Sequence, residues 1–156
     1  MKIGLSVLAT LIVGTVTAWS AEPPDANRYM VSVSTTKMTV QQPATGGNLV
    51  QFETASVYCV AAATATASWN GTAATATAAT IKKSPQTATA PLAVAFSGSD
   101  VGSGTSGVVY NVPAGGTLIF DMSSITMPRS ASGGGINNYT FTTSGTCTIS
   151  FQWVEK

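Results

Sequence analysis

The side chains that support acid–base and nucleophilic chemistry are scarce in this sequence of 156 residues. It contains no histidine, so the Ser-His-Asp and Cys-His arrangements of hydrolases cannot form. Histidine-based zinc sites are excluded for the same reason, and two cysteines are too few for a structural zinc tetrahedron. No phosphate-binding or dinucleotide-binding glycine motif is present either. We therefore expect a protein that is not an enzyme and that holds no metal or cofactor.

Paired carboxylates are the one hydrolytic arrangement that the composition leaves open. A glycosidase needs two carboxyl groups flanking the scissile bond. Asp121 falls in a predicted strand and Asp100 in a Gly/Ser loop, and no spacing in the sequence brings them together. A carboxylate-dependent hydrolase is therefore the third hypothesis for this chain. It would draw on the acids beyond the N-terminal region, which are Glu53, Asp100, Asp121 and Glu155.

The N-terminus has the order of features found in an export signal. Lys2 precedes an apolar run, and Ala18-Trp19-Ser20 places small residues at the two positions that a signal peptidase reads. We assign residues 1–20 to a signal peptide, 21–28 to a mobile leader and 29–156 to a single domain. An uncleaved membrane anchor over residues 3–19 stays open as the alternative, although about 20 apolar residues are needed to span a bilayer. Either interpretation places the domain outside the cytosol, secreted or at the cell surface.

Cys59 and Cys147 are the only cysteines, and the exported setting predicts that they form a disulfide. Each lies in the apolar phase of an alternating segment, so both sulfurs are expected to face the core from two distant strands. The alternative is a pair of free buried thiols, because cysteine also packs well as a small hydrophobic residue.

Composition and alternation together predict an all-β fold. Charged residues make up 8% of the chain and the net charge is +1, so there is no basic surface for nucleic acid. The abundance of Ala, Thr, Ser, Gly and Val favours strands and turns over helices. Alternating segments such as 29–34 and 146–153 indicate about nine or ten short antiparallel strands. We expect a β-sandwich or jelly roll, preceded by the signal or anchor helix.

Asn70-Gly71 marks a two-residue hairpin, because both central positions of a type I′ turn need positive φ. The turn predicts pairing of Ala63 with Ala78 and of Thr64 with Thr77, with an alanine face toward the core and a threonine lattice outside. The lattice is either a contact surface for a glycan, another subunit or ice, or an ordinary solvated face. The nearby tryptophan is either a sugar-stacking platform or a core residue. The candidate contact residues are Thr64, Thr66, Thr75, Thr77 and Trp69.

Two Asn-x-Ser/Thr sequons offer candidate glycosylation sites, at Asn70 and Asn138. Asn138 is expected at a loop edge and is the better acceptor. Asn70 is explained by the conformation that its turn requires. Use of either sequon depends on a source cell that glycosylates.

These observations favour a non-enzymatic structural or adhesive subunit of an extracellular surface, appendage or virion-like particle. Long edge strands with few charges to guard them would allow self-association or pairing with other subunits. A carbohydrate-binding module is the alternative, and it requires exposed coplanar aromatic rings near Trp69 or Tyr139. No nucleic-acid partner is expected, and membrane contact is expected only through residues 3–19 if they are retained.

Overall fold

The structure is a computed structural model that describes residues 27–43, 46–70, 77–84, 89–98, 105–129 and 137–156. These residues form ten antiparallel strands of one sheet and no helix, which confirms the predicted all-β class. The predicted signal or anchor (1–20) and most of the leader (21–28) lie outside the described residues. The strands are β1 (Asn27–Gln41), β2 (Val50–Cys59), β3 (Ala63–Trp69), β4 (Thr77–Ala78), β5 (Lys82–Lys83), β6 (Val94–Ser97), β7 (Thr105–Val112), β8 (Gly116–Asp121), β9 (Thr126–Met127) and β10 (Asn138–Glu155).

β10 is the central strand of the sheet, and it is longer than predicted. It pairs with β1 on one side and with β2 and then β3 on the other. The sequence predicts separate short strands on either side of Thr36 and of Ser144, but β1 and β10 continue through both positions. The register between them shifts there, because residues 143–146 of β10 lie opposite Thr36 alone in β1. Both strands are continuous because β1 and β10 remain neighbours on either side of the predicted interruptions at Thr36 and Ser144.

Two other pairs of strands run end to end beside β10. β2 and β3 follow one another along it, and β8 and β7 follow one another along β2 and β3. The register is the same on both sides of the interruption, since Cys59 lies opposite Gly116 and Ala63 opposite Val112. The interruptions at 60–62 and 113–115 therefore lie side by side, next to the break near Ser144 in β10. They mark a line along which the sheet bends.

The sheet curls over at this line so that its two halves enclose the core. Phe141 and Phe151 are separated along β10 by about 33 Å of extended strand, yet their ring centroids are 5.5 Å apart. Phe120 on β8 contacts Phe141 at 4.9 Å. The core is thus lined by one continuous curled sheet. The separate facing sheets of a β-sandwich or jelly roll are not established, because the long strands pass from one half to the other.

The hairpin predicted at Asn70-Gly71 is wrong in its pairing. β3 has a neighbour on each edge, β10 on one and β7 on the other, and Thr64 lies opposite Asn111. Thr77 and Ala78 form β4 and pair with β6 instead. Asn70 does adopt the positive φ, at 56°, that its turn residue type suggested. On β3 the predicted inward facing of the alanines holds, because Ala65 and Ala67 are buried, whereas Ala78 on β4 is exposed and the predicted two-stranded alanine face is not formed.

The predicted Cys59–Cys147 disulfide is present, and both cysteines are buried on the core face as expected. The expectation that they come from distant strands is wrong. They are direct partners on the adjacent strands β2 and β10, with their Cα atoms 4.4 Å apart. This is the spacing of a non-hydrogen-bonded antiparallel pair, at which side chains approach most closely. The bond joins the two strands beside the bend.

Because two tyrosines are buried, we predict that the folded state is less stable at alkaline pH. Burial is the main cause that raises the pKa of both Tyr29 and Tyr139. The unfolded chain releases its phenolic protons near pH 10 while the folded chain retains them, so the free energy of unfolding falls as pH rises above about 10. Alkaline unfolding followed by far-UV circular dichroism should shift to higher pH in Tyr139→Phe. Tyr58→Phe, on the exposed face, is the matched control, and an equal shift in both variants would contradict the prediction.

Candidate functional site

In the part of the chain that the structure describes, the outer edge formed by β7 and β8 has few features that would block another strand. Among the described residues, β7 pairs only with β3 and β8 only with β2, so one edge of each strand is open. No charged residue occurs from Thr105 to Phe120. Exposed sheet edges are normally protected by charges, proline or bulges. This edge also carries exposed aliphatic side chains, which are Val108, Val109 and Ile119.

The two strands of this edge differ in regularity. In β7, Gly107 and Val108 stand together opposite Ala67 alone, which is a bulge. A bulge interrupts the ladder and is one of the devices that protect an edge. β8 pairs with β2 without any register shift, and its Ile119 side chain is 75% exposed. β8 is therefore the part of the edge that offers an unbroken template for another strand.

The pairing of β8 with β2 determines which of its backbone groups point to the open edge. In an antiparallel ladder, a residue directs its N–H and C=O to one side, and the side alternates along the strand. The ladder ends with the Met122 N–H donating to the carbonyl oxygen of Glu53 at 3.0 Å. The even-numbered residues of β8 therefore face β2. The residues whose N–H and C=O groups face outward are Thr117, Ile119 and Asp121.

The opposite edge of the sheet is built differently. β4 has two residues and β6 four, and β5 consists of Lys82 and Lys83, both exposed. Short strands and lysines are both established ways of blocking edge-to-edge pairing. The two edges of the described sheet are thus chemically unequal, with one open to a new strand and the other guarded.

A row of small hydroxyl side chains crosses the outer face beside this edge. Ser32, Ser150, Ser56 and Ile119 lie in register on β1, β10, β2 and β8. Ser150 Oγ donates to Ser32 Oγ at 2.7 Å. This row was not predicted, although two-residue alternation places each of these serines opposite in phase to buried neighbours. The row forms a flat, uncharged surface that ends at the open edge.

The candidate threonine lattice is not assembled among the described residues. Thr64 and Thr66 lie on β3, whereas Thr77 lies on β4, and β10, β1 and β6 separate the two strands. Thr75 lies outside the described residues.

Trp69 belongs to the packing of the core. Its half-buried ring stacks on Tyr139, with centroids 6.2 Å apart and planes 18° from parallel. A Cβ at Gly107 would come within 2.8 Å of the Trp69 ring, so the neighbouring strand also lies against the indole. The Trp69 and Tyr139 rings cover each other's faces, so they do not form a coplanar exposed pair.

A shallow cleft of about 520 Å³ lies at the bend between β3, β7 and β10. Its polar groups come from Thr64, Asn111 and Ser144, and Ala62 and Pro113 contribute apolar surface. The Thr64 N–H donates to Ser144 Oγ at 2.9 Å. None of the side chains that line the cleft is ionisable, so it can offer a ligand only neutral hydrogen bonds and apolar contact.

The three candidate acids that the structure describes, Glu53, Asp121 and Glu155, each accept hydrogen bonds from other groups. Glu53 accepts from Arg28 at 2.7 Å, and the buried Glu155 accepts hydrogen bonds from backbone and side-chain N–H groups. Asp121 is exposed, and the backbone N–H of Ser123 lowers the pKa of its carboxyl. Asp100 lies outside the described residues. In the part of the chain that is described, no group of three or more metal-ligating side chains and no helix able to cross a membrane is found.

The relative exposure of the two sequon asparagines is the reverse of what the sequence predicts. Asn138 begins β10 and is 2% exposed, and the hydroxyl residue of its sequon, Thr140, is buried as well. Asn70 is exposed at the end of β3, where its Oδ1 accepts from the Asn137 N–H at 2.8 Å. Of the two sequon asparagines, Asn70 is the accessible one in the folded protein.

No protein-family model, curated protein or solved structure matches this chain.

Proposed function

We propose that this chain is a non-enzymatic structural or adhesive subunit of an extracellular surface, appendage or particle, and that it associates with other subunits through a sheet edge. The observation that carries the proposal is the edge of β7 and β8, which has no neighbouring strand among the described residues and no charged residue from Thr105 to Phe120. Backbone N–H and C=O groups on such an edge are satisfied by water in the monomer and by another strand in an assembly.

The remaining properties of the molecule agree with that role. The Cys59–Cys147 disulfide is consistent with an oxidising compartment outside the cytosol. A curled sheet with long strands across both halves provides a body on which an edge can be presented. The flat row of serines next to β8 adds an uncharged surface that would extend across a joined sheet.

Self-association is the measurable consequence. We expect the exported protein to show a concentration-dependent rise in mass by size-exclusion chromatography with light scattering. Ile119→Lys should weaken the association by at least tenfold, because a charge on an exposed edge strand opposes pairing. Val60→Lys is the matched control, since Val60 is 76% exposed but lies outside the strands, and it should leave the mass unchanged. A wild-type protein that stays monomeric at high concentration would contradict the proposal.

A carbohydrate-binding module is the second candidate, and the cleft at the bend is the observation that favours it. Neutral groups such as Asn111 and Ser144 beside apolar surface match the chemistry of a neutral sugar. The stacked position of Trp69 weighs against it, because no described aromatic ring lines the cleft. Saturable binding of a neutral oligosaccharide by monomeric protein would favour this candidate over the first.

A further inference from the structure

β8 is complementary to a second copy of itself. Thr117, Ile119 and Asp121 direct their backbone groups to the open edge and their side chains to the outer face of the sheet. In a two-fold antiparallel pairing, opposite residues lie on the same face, so residues of the same phase must meet. The outward-facing set of β8 can therefore pair only with the same set in the copy.

We propose that two copies of this chain join through β8 about a two-fold axis at Ile119, forming one sheet that continues across both molecules. This inference rests on the function proposed above and names the edge, the partner and the register. Ile119 lies opposite Ile119 of the second copy. Thr117 and Asp121 lie opposite each other on both sides of the axis. Each of these pairs exchanges two backbone hydrogen bonds.

The other registers of the same phase are chemically worse. Centring the axis on Phe120 would place the apolar Ile119 opposite the carboxylate of Asp121, and centring it on Leu118 would place Asp121 opposite the turn residue Gly115. Centring the axis on Asp121 would place two carboxylates directly opposite each other, which is destabilising. Centring it on Thr117 would bring Asp121 opposite Pro113, which has no N–H, and Ile119 opposite Gly115, whose φ is +67°. The register centred on Ile119 uses only regular strand. It also lets the Thr117 hydroxyl donate to the carboxylate of Asp121.

The unequal edges imply a closed pair and not a fibre. Head-to-tail growth would need β8 of one copy to pair with the opposite edge of the next. Among the described residues, that edge consists of the two-residue β4 and β5, the four-residue β6 and residues 31–36 of β1, which another strand could reach only inside the gap between β5 and β6. A self-complementary edge on one side and a guarded edge on the other stop assembly at the two-fold dimer.

Cysteine cross-linking tests the register directly. Directly opposed residues of a hydrogen-bonded antiparallel pair have Cα atoms about 5.5 Å apart, inside the range of about 4.4–6.8 Å that a disulfide accepts. We expect Ile119→Cys to form a covalent dimer on mild oxidation at least tenfold faster than Thr117→Cys or Asp121→Cys alone. In the proposed register the copies of either control position are about 13 Å apart along the strand. A mixture of the Thr117→Cys and Asp121→Cys proteins should form the mixed dimer as readily as Ile119→Cys, because these two positions lie opposite each other in the proposed register.

The outcomes separate this inference from the function on which it rests. Non-reducing electrophoresis gives the cross-linking rate, and circular dichroism confirms that each variant is folded. Wild-type association without preferential cross-linking of Ile119→Cys would overturn the register and leave the structural role standing. Mass above that of a dimer would overturn closure alone. A monomeric wild-type protein with no cross-linking preference would overturn both.

Discussion

Replacing both Cys59 and Cys147 with alanine will lower the free energy of unfolding by about 2–5 kcal/mol. The disulfide closes a loop of 88 residues, so its loss returns much conformational freedom to the unfolded chain. It also joins β2 to β10 beside the bend, where the register of β2 shifts relative to that of β3. Since β2 is the one strand that pairs with β8 among the described residues, the same loss should loosen the open edge.

Urea unfolding of the double variant, compared with wild type at equal protein concentration, measures the change. The double replacement avoids the stray thiol that a single replacement would leave. Reductant is the internal control, because it should lower the stability of wild type to that of the variant and leave the variant unaffected. A loss below about 1 kcal/mol would show that the folded sheet, and not the covalent link, sets the register of β2.

The sequence was sufficient to predict which face of the sheet each side chain occupies, because this is a local property of a strand. Alternation placed Cys147, Ile149, Phe151 and Trp153 on one face, and all of them are buried. The same pattern correctly turned the alanines of β3 inward. A two-residue period needs no knowledge of which strands are neighbours.

The pairing of strands was not predictable, because neighbours are chosen by long-range packing. Asn70-Gly71 favours a local hairpin, but both edges of β3 are taken by β7 and β10. The break near Ser144 suggested two strands, and only the shared neighbour β1 shows that β10 is continuous.

The same distinction between local pattern and strand pairing applies to the candidate site. The lack of charge from Thr105 to Phe120 can be read directly from the sequence. That this segment is an edge, and that Ile119 directs its backbone outward from it, depends on the topology and the register of β8. Composition predicts sheet edges with few charges, and the structure shows which described strands lie at such an edge.

Glu155, considered above as a candidate catalytic acid, is instead expected to stabilise the folded state. Its side chain is 1% exposed, and its two oxygens accept from four N–H groups at 3.0–3.4 Å. The donors are the backbone N–H groups of Leu92 and Ala93, the indole of Trp153 and the amide of Asn48. The carboxylate thereby ties the segment before β6 and the loop before β2 to the end of β10.

Glu155→Ala is therefore expected to lower the free energy of unfolding by about 3–5 kcal/mol, because it leaves buried donors without an acceptor. Glu53→Ala is the matched control. Its ion pair with Arg28 is partly exposed, so its loss should cost about 1 kcal/mol or less. Urea unfolding compares the two variants, and hydrogen exchange at the Leu92 and Ala93 amides reports the local release in Glu155→Ala. If the two variants were equally stable and these amides stayed protected, the segment before β6 would be held by its β-sheet pairing alone, and Glu155 would be free for another role.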